Sequence, residues 1–208
     1  MTAKKTLLSV LAVVILCAVC ITGTLAYLTK TSGAVTNTFT YGGGLNDLGL
    51  YEHEATEEDG VYTLSDTETT TSNNYDTIYP GVDIPKDPQV SLTGSGNTSG
   101  YLFIEKVEGE GFDTALQYTV DTANWTETTL VGQHGGTVYV YALNGGKVTK
   151  LDAPVHILAN DKITVAANAD LTNVNGDTLT FYAYLLQASG FGTAADSWNA
   201  VFPTTPTP

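Results

Sequence analysis

Short segments whose apolar residues fall on every second position, separated by glycine and asparagine, recur along this chain and limit what it can fold into. A period of two puts one set of side chains on one face of an extended strand, whereas a helix needs apolar residues at three- and four-residue spacing. In "DTLTFYAYLL" Leu179, Phe181, Ala183 and Leu185 alternate with Thr178, Thr180, Tyr182 and Tyr184. "ALQYTV" sets Leu116, Tyr118 and Val120 against Ala115, Gln117 and Thr119 in the same way, and "TVYVYAL", "PVHIL" and "KITVAANA" read as three further strands. "GYLFIEKV" has a continuous apolar run, the mark of a strand covered on both faces. The punctuation predicts a hairpin at "LNGGK", between Tyr141 and Val148, and a turn at "NVNGDT" before Leu179. Helical periodicity is confined to "AADSWNAVF", Ala194 to Phe202, read as a short helix. The expectation is an all-β chain, an antiparallel jelly-roll or Ig-like β-sandwich, with a single domain over 27–202.

The first 26 residues follow different rules. Lys4 and Lys5 precede an apolar run from Leu7 to Ile21, and Thr24-Leu25-Ala26 is a small-x-small site, so the segment reads as a signal helix cleaved between Ala26 and Tyr27. The run is short of the ~20 apolar residues that usually span a bilayer, and contact with membrane is therefore expected only through this segment before cleavage. Cys17 and Cys20 both lie inside it, which leaves the mature chain without a thiol for a disulfide or a metal. Removing it also leaves six lysines against 22 carboxylates, a formal charge of −16, with no arginine anywhere. Such a surface repels nucleic acid, so no nucleic-acid partner is expected.

Motifs for catalysis are missing. The histidines His53, His134 and His156 are far apart, and "HEATE" carries Glu57 where a zinc-binding helix needs its second histidine. "NVNGD" lacks the glutamate that closes a calcium loop, and the glycines 42–44 have neither the length nor the context of a phosphate loop. No catalytic residue, metal or cofactor is expected. Glu52 to Asp76 is acidic, threonine-rich and poor in large apolar residues, and reads as an exposed insertion holding at most one hairpin; residues 203–208 form a Pro/Thr tail. In "YPGVDIPKDPQVSL" Pro80-Gly81 predicts a tight turn, and Pro85 and Pro88, which cannot donate to a ladder, place the segment at an edge until pairing begins at Gln89.

Two stretches taken together, "AYLTKTSGAVTNTFTYG" directly after the apolar run and "YPGVDIPKDPQVSL" leading to "YLFIEKVE", resemble the TasA/camelysin family of exported Gram-positive surface proteins. Ala26, Tyr27, Asn37, Phe39 and Gly42, then Pro80, Gly81, Lys86, Asp87, Pro88 and Val90, occupy the places of the family pattern, which covers about a third of the chain. The resemblance implies a secreted jelly-roll subunit of extracellular or biofilm-matrix fibres, assembled by donor-strand exchange after cleavage by a dedicated type I signal peptidase. Its implied partners are further copies of itself, head to tail, or a related fibre subunit, and its implied location is the matrix or cell surface of a Gram-positive bacterium. Camelysin-like members are also classed as metallopeptidases, and a non-polymerising surface binding or accessory protein is the other alternative. Residues 27–42 are the expected donor strand: Val35, Asn37, Phe39 and Tyr41 share one parity, with Thr36, Thr38 and Thr40 on the other.

Overall fold

A computed structural model describes residues 44–203 of the chain, apart from 110, 111, 113 and 175. The cleavage junction at Ala26 and Tyr27 and the donor-strand residues Val35, Asn37, Phe39 and Tyr41 lie outside the described residues.

The described chain runs β1 (Asp47–Glu58), β2 (Val61–Thr69), β3 (Asp83–Pro85), β4 (Gln89–Thr93), β5 (Gly100–Glu108), β6 (Leu116–Gln117), β7 (Trp125–Val131), β8 (Thr137–Tyr141), β9 (Lys147–Val148), β10 (Val155–His156), β11 (Lys162–Val165), β12 (Leu179–Gln187) and one α-helix, α1 (Ala194–Val201). The described part of the chain is mostly β, in keeping with the two-residue period, and the ladders between these strands are antiparallel. Three sheets form, in the orders β10-β4-β1-β2, β3-β11-β6 and β12-β5-β8-β7, with β9 added to β5.

One apolar core joins the three sheets. Val90 and Leu92 from β4, Leu102 and Ile104 from β5, Ile163 and Val165 from β11, and Trp125 from β7 all pack into it. Leu179, Phe181, Ala183 and Leu185, the apolar parity read in β12, face the same core and are only partly buried. The other parity of β5 and β12 meets a second cluster, in which Tyr101, Phe103 and Val138 lie under Trp198 of α1, with Tyr184 and Leu186 alongside. Strand β5 is thus covered on both faces, which explains its continuous apolar run. Its main partner is β12, paired at nine positions from Leu179↔Glu108 to Gln187↔Gly100.

Helix α1 starts where local chemistry dictates. The Thr193 hydroxyl accepts the Asp196 N–H at 3.1 Å, and the Asp196 carboxylate accepts the Thr193 N–H at 3.0 Å, closing a capping box that fixes the helix over the sheet.

The expected hairpin at "LNGGK" is a correction. Val140 pairs with Phe103, and further along Lys147 pairs with Tyr101 and Val148 with Gly100, so β8 and β9 follow the same strand in the same direction. Between them Asn144, Gly145 and Gly146 take positive φ values of 52°, 62° and 88°, and the chain coils once without reversing. "ALQYTV" and "PVHIL" each contribute only a two-residue strand. β7 was not read from the sequence at all, because "WTETTLV" carries little apolar content besides Trp125, whose indole N–H donates to the His156 carbonyl at 2.8 Å.

Residues 52–76 form the outer half of β1, all of β2 and the segment beyond it. The hairpin is acidic and largely exposed, yet its base is not a surface feature, since Glu52 is 9% exposed and the adjoining Asp47–Tyr51 half of β1 pairs with β4.

Candidate functional site

A groove of about 880 Å³ opens where β1, the segment after β2 and the start of β12 come together. Leu50, Tyr51 and Glu52 line one side, Leu179, Thr180 and Phe181 the other, and Ile84, Phe112, Leu116 and Ile163 contribute apolar surface between. A wall of Thr69–Ile78 closes the outer side. Consecutive residues of two strands line it, so strand edges as well as side chains face the opening. Among the described residues β12 is laddered only to β5, and Asp47–Tyr51 of β1 only to β4, with β2 joining from Glu52 onward. Each strand therefore keeps one edge without a ladder partner, and such edges are ready templates for an added strand.

The wall is held by specific bonds. At the irregularity between His53 and Ala55 the Asn73 side chain accepts the Ala55 N–H at 2.8 Å and donates to the His53 carbonyl at 2.8 Å. The Tyr75 hydroxyl donates to the Pro85 carbonyl at 2.8 Å, and the Tyr62 hydroxyl accepts the Thr77 N–H at 2.9 Å. Tyr62 and Tyr75 meet edge to face with centroids 5.1 Å apart. Burial first, then the Glu52 and Asp87 carboxylates, push the Tyr75 phenol well above its ordinary value, so it remains a neutral donor.

Beneath the wall lies a polar hub built by the "PKDP" element. Lys86 and Asp87 are 8% and 4% exposed. The Lys86 ammonium donates to Glu52 at 2.7 Å, while the Asp87 carboxylate accepts the His53 N–H at 2.9 Å, meets the His53 Nδ1 at 2.5 Å and accepts the Gln89 amide at 2.9 Å. Two consecutive residues of β1 are thus tied to two consecutive residues before β4. The rigid φ of Pro85 and Pro88 on either side holds both side chains in place. Lys86 and Pro88 also line the groove, whereas Pro80 and Gly81 form a turn elsewhere, where the Gly81 N–H donates to the Val165 carbonyl at 2.9 Å.

A second buried carboxylate sits on the helix-covered side. Glu105 has no exposed surface and accepts the backbone N–H groups of Gln133, His134 and Gly136 at 3.0, 2.7 and 3.0 Å and the Tyr184 hydroxyl at 2.8 Å. His134 stacks on Tyr182, centroids 3.7 Å apart, with Nδ1 at 3.2 Å from the same carboxylate. Burial raises the Glu105 carboxyl, but these hydrogen bonds outweigh it and hold the group below the usual carboxylate range. The loop closes this tightly only because it carries glycine: a Cβ on Gly132 would overlap Glu105, and one on Gly136 the Lys106 carbonyl.

Sequence reading did not foresee the roles of Glu52, His53, Asn73 or Glu105. Glu105 had a signal, being a charged residue at the buried parity of an apolar strand. Among the described residues no three or more His, Cys, Asp or Glu side chains are grouped to hold a metal ion.

The chain matches no known family model, no curated protein and no solved structure.

Proposed function

We propose that this protein is a secreted structural subunit of extracellular or biofilm-matrix fibres, joined head to tail when the freed N-terminal strand of one copy enters the groove of the next. The observation that carries the reading is the groove itself, with strand edges on two sides and apolar side chains between them. A strand added there would gain ladder hydrogen bonds of about 0.5–1.5 kcal/mol each. It would also bury apolar side chains worth about 1.5–3 kcal/mol each. The sequence holds a segment of matching pattern, with Val35, Phe39 and Tyr41 on one parity and threonines on the other. Its resemblance to TasA/camelysin proteins supports the same reading, with a jelly-roll architecture and a dedicated signal peptidase releasing the strand at Ala26. A head-to-tail contact that does not close on itself extends into a filament.

The reading assigns no catalytic step. The metallopeptidase alternative is separated from it by incubating the pure protein with casein, with and without a chelator. The direct test is to secrete the chain with its peptidase, sequence the N-terminus and image the product by negative-stain electron microscopy. Tyr27 at the terminus with uniform fibres is the expected result, and Phe39→Asp is expected to give soluble monomers. Fibres that persist in Phe39→Asp would remove this strand from assembly.

A further inference from the structure

The wall of the groove is fastened to a histidine. Asn73 bridges the His53 carbonyl and the Ala55 N–H, so this part of the wall is fastened to the backbone on either side of the β1 irregularity. His53 lies in the β1–β2 ladder, and its side chain and backbone N–H are both bound by Asp87, at 2.5 Å from Nδ1 and at 2.9 Å from the N–H. Asp87 is 4% exposed, and the Gln89 amide donates to the same Oδ2 that meets the His53 ring. The imidazole edge remains reachable by solvent, with its side chain 30% exposed.

The charges around this ring are one-sided. Glu68 lies directly opposite His53 in the β1–β2 register, and Asp66 and Asp87 add two more carboxylates. Tyr51, on the same face of β1, is neutral, with its ring edge to face at 6.4 Å. Lys86, next in sequence to Asp87, is already engaged with Glu52. A proton on His53 thus meets three carboxylates and turns the Asp87 contact into a charge-assisted bond.

We propose that Asn73, His53 and Asp87 form a proton-operated clasp on the Thr69–Ile78 wall, ordering the groove for an incoming strand when His53 is charged and loosening it when His53 is neutral. The partner addressed is the strand of the preceding section, so the regulatory meaning rests on that reading, although the clasp itself does not. The sign follows from the bonds: the hydrogen bond to Asp87 raises the His53 pKa above its ordinary value against the opposing effect of burial. The stabilisation is therefore complete below the unfolded value of about 6.5 and is lost as pH rises through the higher folded value. A wall already ordered costs the entering strand less than one that must be ordered on binding.

The experiment uses the mature full-length chain carrying Phe39→Asp, so that assembly does not intrude. Amide-exchange protection of residues 69–78, corrected for intrinsic rates, and the resonances of the Asn73 side-chain amide are followed from about pH 8 to about pH 6, across the range of histidine titration. Protection of the wall is expected to rise roughly threefold or more as His53 titrates. His53→Gln should keep the fold and abolish the pH dependence. Asn73→Ala should lower the protection of the wall and remove its pH dependence while His53 titrates as before. Equal protection at both pH values in the parent chain, or an unchanged pH profile in His53→Gln, overturns the clasp. A peptide of residues 27–42 is then added: a clasp that responds while the peptide fails to bind removes the fibre reading and leaves the clasp, and a peptide that binds equally at both pH values to a pH-insensitive wall does the reverse.

Discussion

The two ends of β12 lie on one strand and meet opposite fates. Toward its C-terminus Tyr184 and Leu186 pack with α1, whose Trp198 has no exposed surface and contacts Phe103, Tyr184 and Phe202 with ring centroids 5.0, 5.1 and 4.8 Å away. Toward its N-terminus Leu179, Thr180 and Phe181 line an open groove. The helix end is sealed by residues that follow immediately in the chain, so its cover arrives with no cost beyond closing a short loop. The groove end is lined by segments far apart in sequence and has a wall held by a few polar bonds. A cover added locally is fixed for good, and a place left without one can be filled from elsewhere. That contrast is the physical basis for the proposal that the open end takes a strand while the sealed end supplies stability.

The contrast is broken most forcefully at the sealed end. Trp198→Ala empties the space against Phe103 and Tyr184 and orphans the Val131 carbonyl, which accepts the indole N–H at 3.2 Å. A loss of about 3–5 kcal/mol is expected in urea unfolding. Next comes Glu105→Gln, which replaces a carboxylate by an amide facing backbone donors and is expected to cost about 2–3 kcal/mol at neutral pH. Because the Glu105 pKa lies below its ordinary value in the fold, its contribution is complete above about pH 4.3 and lost as pH falls through the lower folded value. Acid unfolding of Glu105→Gln should therefore show a shallower dependence on pH in that range.

At the open end the order reverses, with small effects on stability and large ones on assembly. Phe181→Asp is expected to lower stability by about 1–2 kcal/mol and to abolish fibres by microscopy, since Phe181 is partly buried and lines the groove. The smallest expected effect is that of salt. On the proposed reading the cleaved subunits carry −16 and repel one another over about 8 Å at physiological ionic strength, so added salt is expected to speed assembly. Equal rates at low and high salt would take charge repulsion out of the account.

The parts legible in the sequence were those in which one local rule acts. The apolar run of β5 gave its burial correctly, and the period of two in β12 gave the strand and the parity that faces the main core, but not the cover that α1 puts over Tyr184 and Leu186 on the other face. The short helix read in "AADSWNAVF" is likewise local, and the structure starts it at a capping box of Thr193 and Asp196. The coil at Asn144–Gly146 was misread because the same glycine-rich signal serves a reversal and a looped detour, and only pairing with β5 separates them. The hub was hidden for a related reason. Lys86 finds Glu52 and Asp87 finds His53 across 34 residues each, and nothing in "PKDP" or "YEHE" states that they meet. The role of Glu105 was not foreseen either, although a carboxylate in a doubly covered strand needs donors and "VGQHGGT" supplies backbone ones.

The central claim, that the groove takes a strand, is tested most directly by titrating the mature Phe39→Asp chain with a peptide of residues 27–42 and reading amide-exchange protection along the whole chain. Saturable protection at Leu50–Glu52 and Leu179–Phe181, lost in Phe181→Asp, is the predicted result. Protection confined to other strands, or none at saturating peptide, would contradict it.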